Sequence, residues 1–412
     1  MNRFILFLLL AMPLQLPGPL AADDTPDLRS RKRGVCATLL ESGQVQQLAQ
    51  GVSWVYNWGA TPANLELNGE MEFIPMVWGA NQGQLDGVKE YLDGGATPSH
   101  ILVLNEPNLK GQAFITPQET ASWMEHIRDT LAGHDIPLIG PQMALGSASG
   151  SSIVAYDPIL GETVTYTSMD QFLDAFDYYR GDAPLEGIAV HPYGVLGELT
   201  WAVDNAYSRY GKPVWVTEFA YWNASSEEEL YDYAVRALDF LEHSPKVGGY
   251  AWFMANINSQ LKLVDRRSGA LTPLGELYVN YPAFDPDHFH PVPGRVDAES
   301  YSGVDNMMIV TADSAGGWGA LTLMSSRREG WINFQIDVAE AGLYGIRMRV
   351  TDTSYTDLGP VEEGADLVDP PEHIERDLHF DTRLEAGPQT FRILIKGFSA
   401  KIDWLEFTRI ED

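Results

Sequence analysis

The chain has 412 residues, 45% of them hydrophobic, 11% aromatic and 20% charged, a composition that excludes a disordered protein. Its 57 acidic against 27 basic side chains give a formal net charge of -30, which repels nucleic acid and anionic membranes and disfavours strongly acidic polysaccharides. A neutral ligand is the natural reading, and neutral sugars suit the 11 Trp and 18 Tyr.

Arg3 precedes an apolar run, Phe4 to Met12, too short to span a membrane. Ala21 and Ala22 follow, just before Asp23 and Asp24. Residues 1–22 therefore read as a signal peptide, and export to an extracellular or periplasmic space is expected. Cys36 is the only cysteine, so no intramolecular disulfide can form, and a buried, inert thiol is expected.

From Val35 to Phe253 short apolar runs alternate with helical patterns. The runs are Val35–Thr38, Val52–Tyr56, Glu72–Val77, Ile101–Leu104, Leu138–Gly140, Gly187–Val190, Val214–Val216 and Gly248–Phe253. They are apolar on both faces, as strands of a parallel sheet covered by helices should be. Thr116-Pro117-Gln118-Glu119 reads as an N-cap, a first-turn Pro and a capping-box Glu; Gly133 ends that helix. Ser226 and Glu229 repeat the box. This order predicts an α/β fold, a (β/α)8 barrel over residues 30–282. The competing open, doubly wound sheet lacks its glycine-rich fingerprint after the first strand. The Gly/Ser-rich stretch Ser147 to Ser168 is long for a connection and is expected to be an insertion on the substrate side.

Four prolines between Tyr281 and Gly294 mark a linker over residues 283–293. Beyond it the period changes to two. Ile332, Phe334, Ile336 and Val338 alternate with polar residues, as do Tyr344 to Val350 and Phe391 to Ile395. Residues 294–412 are expected to form a β-sandwich of jelly-roll type. Asp352 to Glu375 reads as an acidic, exposed loop.

Two carboxylates stand at ends of predicted strands, in Asn105-Glu106-Pro107-Asn108 and Thr217-Glu218-Phe219. A barrel of this class gathers its chemistry at the carboxyl ends of its strands. Either glutamate alone could simply face solvent. As a pair they are what glycoside hydrolysis requires, one acid for the leaving oxygen and one carboxylate to attack or activate water. Asn105 is placed to bond a sugar 2-hydroxyl. His191 and Tyr193 close another strand and are placed to orient a carboxylate. Among the aromatics near strand tips, Trp54 reads as core. Trp58, Trp78, Trp252, Tyr221 and Trp222 are expected to stack on sugar rings. No metal-ligand spacing, phosphate loop or nucleophile elbow occurs in this part of the chain.

These motifs resemble glycoside hydrolase family 128. The resemblance runs in order through Lys32-Arg33-Gly34, Trp54 to Trp58, Phe73 to Trp78, Asn105 to Asn108, His191 to Tyr193, Thr217 to Phe219, Tyr250 to Phe253 and Leu271 to Gly275. It implies a retaining hydrolase of neutral β-1,3-glucan, of laminarin or curdlan type and endo-acting, with Glu106 as acid/base and Glu218 as nucleophile; secretion is expected from the N-terminal segment. No cofactor is implied for catalysis, and a monomer is expected, with no nucleic-acid or membrane partner. Two other readings stay open: the same pair acting on mannan, xylan or β-1,4-glucan, and a glycan-binding protein built on an inactive barrel.

The C-terminal region resembles a family 6 carbohydrate-binding module through Val296 to Tyr301, Gly316-Gly317, Glu329 to Trp331, Ala341 to Tyr344, Ala386-Gly387 and Ile402 to Leu405. The resemblance implies a structural Ca²⁺ held by Asp297, Glu299 and Asp403, oxygen donors of the kind calcium prefers. The module's usual sugar cleft is not matched: its stretches read Gly319 to Thr322, an acidic loop without Trp, and Ser399-Ala400-Lys401. Trp318 and Tyr355 are the aromatics left for another face.

Overall fold

The computed structural model describes residues 12–13, 29–312, 318–323, 329–351, 375–396 and 401–410. The expected signal peptide (apart from Met12–Pro13), Gly316-Gly317, the loop from Asp352 with Tyr355, and Ser399-Ala400 lie outside the described residues. Two compact units are present, one of residues 29–280 and one that begins at Tyr281.

The first unit is built on a curled sheet of nine parallel strands. In chain order these are β1 (Ser30–Cys36), β2 (Val52–Tyr56), β3 (Glu72–Phe73), β4 (Met76–Val77), β5 (Ile101–Val103) and β6 (Leu138–Ala144). A hairpin follows, β7 (Ile153–Asp157) with β8 (Glu162–Tyr166). Then come β9 (Gly187–His191), β10 (Val214–Phe219) and β11 (Val247–Trp252). The sheet order is β3-β2-β1-β11-β10-β9-β6-β5-β4. Its two outermost strands, β3 and β4, are separated only by Ile74 and Pro75. The sheet therefore begins and ends on one stretch of chain, the arrangement of a TIM-like barrel. Ile74 N–H donates to Val55 O on one side at 2.9 Å, and Pro75 O accepts from Leu102 N–H on the other at 3.0 Å.

Helices α1 (Ser42–Leu48), α2 (Gln82–Asp93), α3 (Pro117–Leu131), α4 (Met169–Arg180), α5 (Leu196–Tyr210), α6 (Glu227–His243) and α7 (Pro273–Asn280) join or follow the strands. The Thr116 cap forms as expected: its hydroxyl accepts from Glu119 N–H at 3.2 Å, and Glu119 accepts from Thr116 N–H at 2.8 Å. At α6 only half the expected box forms. Ser226 Oγ accepts from Glu229 N–H at 3.1 Å, but Glu229 turns back to Ser225 and Tyr221 instead.

The barrel interior is packed with side chains of alternate strand positions: Cys36, Trp54, Tyr56, Ile74, Met76, Leu102, Ile139, Ala189 and Ala251. Trp54 fills space that only a glycine opposite can leave. A Cβ on Gly34 would sit 2.2 Å from the Trp54 ring. Cys36 is fully buried, its thiol donates to Trp252 O at 3.3 Å, and burial pushes its pKa well up. The stretch 147–168 carries the hairpin β7–β8, fastened beside the loop that follows Glu106. Lys110 N–H donates to Ser151 O at 2.8 Å, and Leu109 bridges to Ser152. Val154, Tyr156, Ile159 and Leu160 of this hairpin are exposed.

The second unit holds β12 (His290–Val292), β13 (Gly294–Asp297), β14 (Gly303–Asp305), β15 (Met307–Thr311), β16 (Gly319–Leu323), β17 (Glu329–Val338), β18 (Gly342–Thr351), β19 (Glu375–Leu384), β20 (Gly387–Lys396) and β21 (Lys401–Ile410). They make two sheets. One runs β20-β17-β12, with β14 also on β17 and Met12–Pro13 on β20. The other runs β15-β16-β21-β18-β19, with β13 also on β21. Phe391 of the first sheet meets Phe407 of the second edge to face, ring centroids 5.2 Å apart. The expected linker 283–293 needs correction at its end: His290–Val292 pairs in parallel with β17. Prolines are tolerated there because the strand lies at a sheet edge.

Candidate active site

The carboxyl ends of the first unit's strands bring the two glutamates together. Glu218 lies within β10 and Glu106 three residues past β5, and both are buried. One oxygen of each and one ring nitrogen of His191 all lie within 4.8 Å of one another. Glu106 stands in an uncommon backbone conformation, φ 44°, two residues after Leu104 at φ 56°. Hydrogen bonds hold it there. Glu106 N–H donates to Gln142 O at 2.7 Å, and Gln142 N–H donates to Leu104 O at 3.0 Å. Asn108 ties the loop to β6, its carboxamide bonding Ala144 N and O at 3.2 and 2.8 Å.

Glu218 is surrounded by donors. Tyr56 Oη shares its hydrogen between Glu218 Oε1 at 3.1 Å and Thr217 O at 3.0 Å, Trp58 Nε1 donates to the same Oε1 at 2.8 Å, and Tyr193 Oη donates to Oε2. A carboxylate gripped by three donors is fixed in one orientation. Burial and the charge of Glu218 push the phenols of Tyr56 and Tyr193 well up, so both remain protonated donors.

His191 ends β9. Its Nδ1 lies 3.0 Å from Glu106 Oε1 and 3.6 Å from Glu218 Oε2, and its Nε2 lies 2.9 Å from Thr217 Oγ1. Burial would lower the imidazole pKa, but Glu218 and the hydrogen-bonded Glu106 outweigh it and hold the value above normal. Two carboxylates and an imidazole at this spacing are also a metal donor set. Here the aromatic donors already occupy Glu218, which favours the hydrogen-bonded reading.

Asn105 is buried beside Glu106 and donates to Gln112 Oε1 at 3.2 Å. Trp58 and Trp78 are partly buried and pack on the interior cluster at its mouth. Trp222 is 40% exposed, its ring 6.0 Å from that of Phe253. Trp252 is a correction. It is fully buried, packs on Phe219 and Tyr278 with ring centroids 5.1 and 5.9 Å away, and donates its indole N–H to Leu261 O at 2.8 Å. Alternation explains this. Ala251 and Phe253 belong to the interior, so Trp252 turns towards α7. Phe253 takes the expected place, with ring centroids 5.9 Å from Trp58 and 5.4 Å from Tyr193. Tyr221 is engaged elsewhere as well: it donates to Glu229 Oε1 at 2.7 Å and packs on Tyr233.

Sequence reasoning passed over Tyr56, Phe253, Thr217 and Gln142 as site residues. Only Gln142 carried a distinct signal, a polar side chain inside an otherwise apolar strand.

In the second unit Glu299 and Asp403 are buried and Asp297 is half-buried. Glu299 Oε1 accepts from Trp318 N–H at 2.7 Å, while its buried Oε2 has no partner among the described residues. Burial first, then the charges of Asp297 and Asp403, push Glu299 up to about 8. Arg295, Arg347 and Arg349 lie 4.8, 4.9 and 5.2 Å from the Trp404 ring centre, and Arg392 lies 4.3 Å from that of Trp331.

A sheet curled on itself, with paired carboxylates at its carboxyl end and aromatics around them, defines a sugar-cleaving barrel. Residues 34–278 match the glycosyl hydrolase catalytic core family, and the chain belongs to it as a glycoside hydrolase. Within that class the catalytic unit stands in glycoside hydrolase family 128. The chain is 32% identical to a subgroup II endo-β-1,3-glucanase of that family from Pseudomonas viridiflava, covering all (100%) of it and 62% of itself, with a TM-score of 0.53. A second subgroup II endo-β-1,3-glucanase, from Sorangium cellulosum, is 25% identical over the same 62% of this chain and 100% of its own, TM-score 0.52. A curated relative, alkali-sensitive linkage protein 1 of Schizosaccharomyces pombe, is 27% identical over 242 residues, 56% of this chain; the chain spans 41% of that protein's length. Among the described residues no helix is long and apolar enough to cross a membrane.

Proposed function

We propose that the protein is an exported endo-β-1,3-glucanase that retains anomeric configuration. The carrying observation is the carboxylate pair, with oxygens within 4.8 Å. Retaining enzymes hold the two carboxyl groups roughly 5–5.5 Å apart, whereas inverting ones leave room for a water between them. The substrate reading is supported by the two similar family 128 enzymes, both endo-β-1,3-glucanases.

In the first step Glu218 attacks the anomeric carbon as Glu106 gives its proton to the departing glycosidic oxygen. One C–O bond forms and one breaks, leaving a glycosyl ester on Glu218. In the second step Glu106, now ionised, takes a proton from water. The hydroxyl adds to the anomeric carbon, and Glu218 leaves as carboxylate. Trp58, Trp78, Trp222 and Phe253 supply flat apolar surface for the sugar rings. Thin-layer chromatography on laminarin, curdlan and mixed-linkage glucan tests the substrate. A ladder of β-1,3 oligosaccharides is expected. Silence on all three, with cleavage of mannan or xylan, would move the substrate elsewhere. Proton NMR of the first product tests the stereochemistry: initial β-anomer is expected, and initial α-anomer would overturn retention.

For the second unit we propose a carbohydrate-module fold steadied by Ca²⁺ at Asp297, Glu299 and Asp403. The buried Glu299 Oε2, unpartnered among the described residues, supports it, since a cation would meet that oxygen directly; Asp297 Oδ1 also accepts from Arg295 Nε at 2.7 Å. Arginines over Trp404 and Trp331 cover faces that sugars would otherwise use, which favours a stabilising role.

A further inference from the structure

We propose that Gln142 and Thr217 are positioning residues that fix the tautomer of His191 and so aim the proton of Glu106. The proposal rests on the acid/base reading of Glu106.

Four buried residues close a ring. Glu106 N–H donates to Gln142 O at 2.7 Å, and Thr217 Oγ1–H donates to Gln142 Oε1 at 3.0 Å. Thr217 Oγ1 lies 2.9 Å from His191 Nε2, and His191 Nδ1 lies 3.0 Å from Glu106 Oε1. Gln142 and Thr217 are fully buried, and His191 and Glu106 nearly so, which shields the ring from bulk solvent.

With the Gln142 carbonyl turned to Thr217, the Nε2 side of His191 has one solution. A threonine hydroxyl has a single hydrogen, and here it is used on Gln142. Towards His191 it can only accept, so Nε2 carries a proton. When the ring is neutral, Nδ1 is then a bare acceptor that Glu106 meets only with a carboxyl proton; when the ring is charged, Nδ1–H donates to Glu106. The neutral ring facing a carboxyl proton is the state the first step needs. Gln142 thus holds Glu106 twice, by its backbone directly and by its side chain through Thr217 and His191. The titratable groups facing His191 are Glu106 and Glu218, both on the imidazole's Nδ1 side.

The test begins with long-range ¹H–¹⁵N NMR of the full chain labelled in histidine. The Nε2–H tautomer of His191 is expected near neutral pH; the Nδ1–H tautomer would overturn the proposal outright. Gln142→Met and Thr217→Val are expected to mix the tautomers and lower kcat roughly tenfold with KM little changed. The basic limb of the pH profile should move to lower pH, because an Nδ1–H favours ionised Glu106. Thr217→Ser should restore the profile. Lower activity with tautomer and pH profile unchanged would reduce both residues to packing. Glu106→Gln separates the two readings: normal turnover in that variant would remove the acid/base role while leaving the tautomer measurement intact.

Discussion

Two buried polar networks lie in the catalytic unit, and they differ in what balances their charge. Between β1, β11 and the ends of α6 and α7, Arg33 Nη2 meets Glu242 Oε1 at 2.6 Å with both side chains buried. Arg33 Nε donates to Tyr250 Oη at 2.9 Å and its Nη1 to Tyr278 O at 2.9 Å, while Ser30 Oγ donates to Glu242 Oε2 at 2.8 Å. A guanidinium does not lose its proton in proteins, so this network has one charge state and is structural. At the carboxyl ends of the strands, two carboxylates face an imidazole and no fixed cation. Balance there depends on mobile protons, which is what proton transfer requires. Burial alone does not mark a catalytic site. In this unit the distinction lies in the counter-charge: a fixed guanidinium at one cluster, exchangeable protons at the other.

The comparison can be broken at either end. Glu218→Gln should lower kcat by on the order of 10⁴-fold or more, with a melting curve at least as high as wild type. Near-normal turnover would end its assignment as nucleophile. Glu242→Gln should do the reverse. It strands Arg33 and is expected to cost about 3–5 kcal/mol in denaturant unfolding, with kcat per folded molecule unchanged. Combining Arg33→Met with Glu242→Leu should recover much of that loss; no recovery would show that the network does more than balance charge. Tyr193→Phe removes one of three donors to Glu218 and should lower kcat/KM by roughly tenfold in steady-state assays on laminarin, without the collapse seen for Glu218→Gln.

The smallest effect concerns the second unit. Glu299 is raised to about 8 from an ordinary 4.5, so the unfolded chain releases that proton first. Its contribution to stability is therefore full below about pH 4.5 and is lost as pH rises through about 8. Calcium should offset the loss, raising the melting temperature by roughly 5 °C at pH 8 and less at pH 5. Scans with and without chelator check this, and superimposable melts at both pH values would remove the cation.

Most of the catalytic framework was legible in the sequence because parallel strands are apolar runs. Val52–Tyr56 is met end to end, and Glu72–Val77 is right except for the break at Ile74-Pro75. The runs fell short where function intrudes. Val214–Val216 stopped before Thr217 and Glu218 because polar residues inside a strand look like its end, and Leu138–Gly140 stopped at the Gly140-Pro141 pair, one residue short of Gln142. Glu106, Glu218, His191 and Tyr193 could be found from strand-end position together with the pairing of the two carboxylates. Trp252 was misplaced because an aromatic pair, Trp252 and Phe253, does not reveal which member faces inward. Gly249 and Ala251 held the answer: small residues sit where the barrel interior is already filled. The ring through Gln142 needed register between β6, β9 and β10, which no single strand encodes.

The break at Ile74-Pro75 reaches beyond the catalytic chemistry. A sheet that begins and ends on one stretch of chain has no lateral rim of unpaired N–H and C=O groups. The barrel strands therefore offer no open edge of the kind that templates a strand from a neighbouring molecule. Within this unit that protection does not extend to the hairpin Ile153–Tyr166, whose two strands pair only with each other.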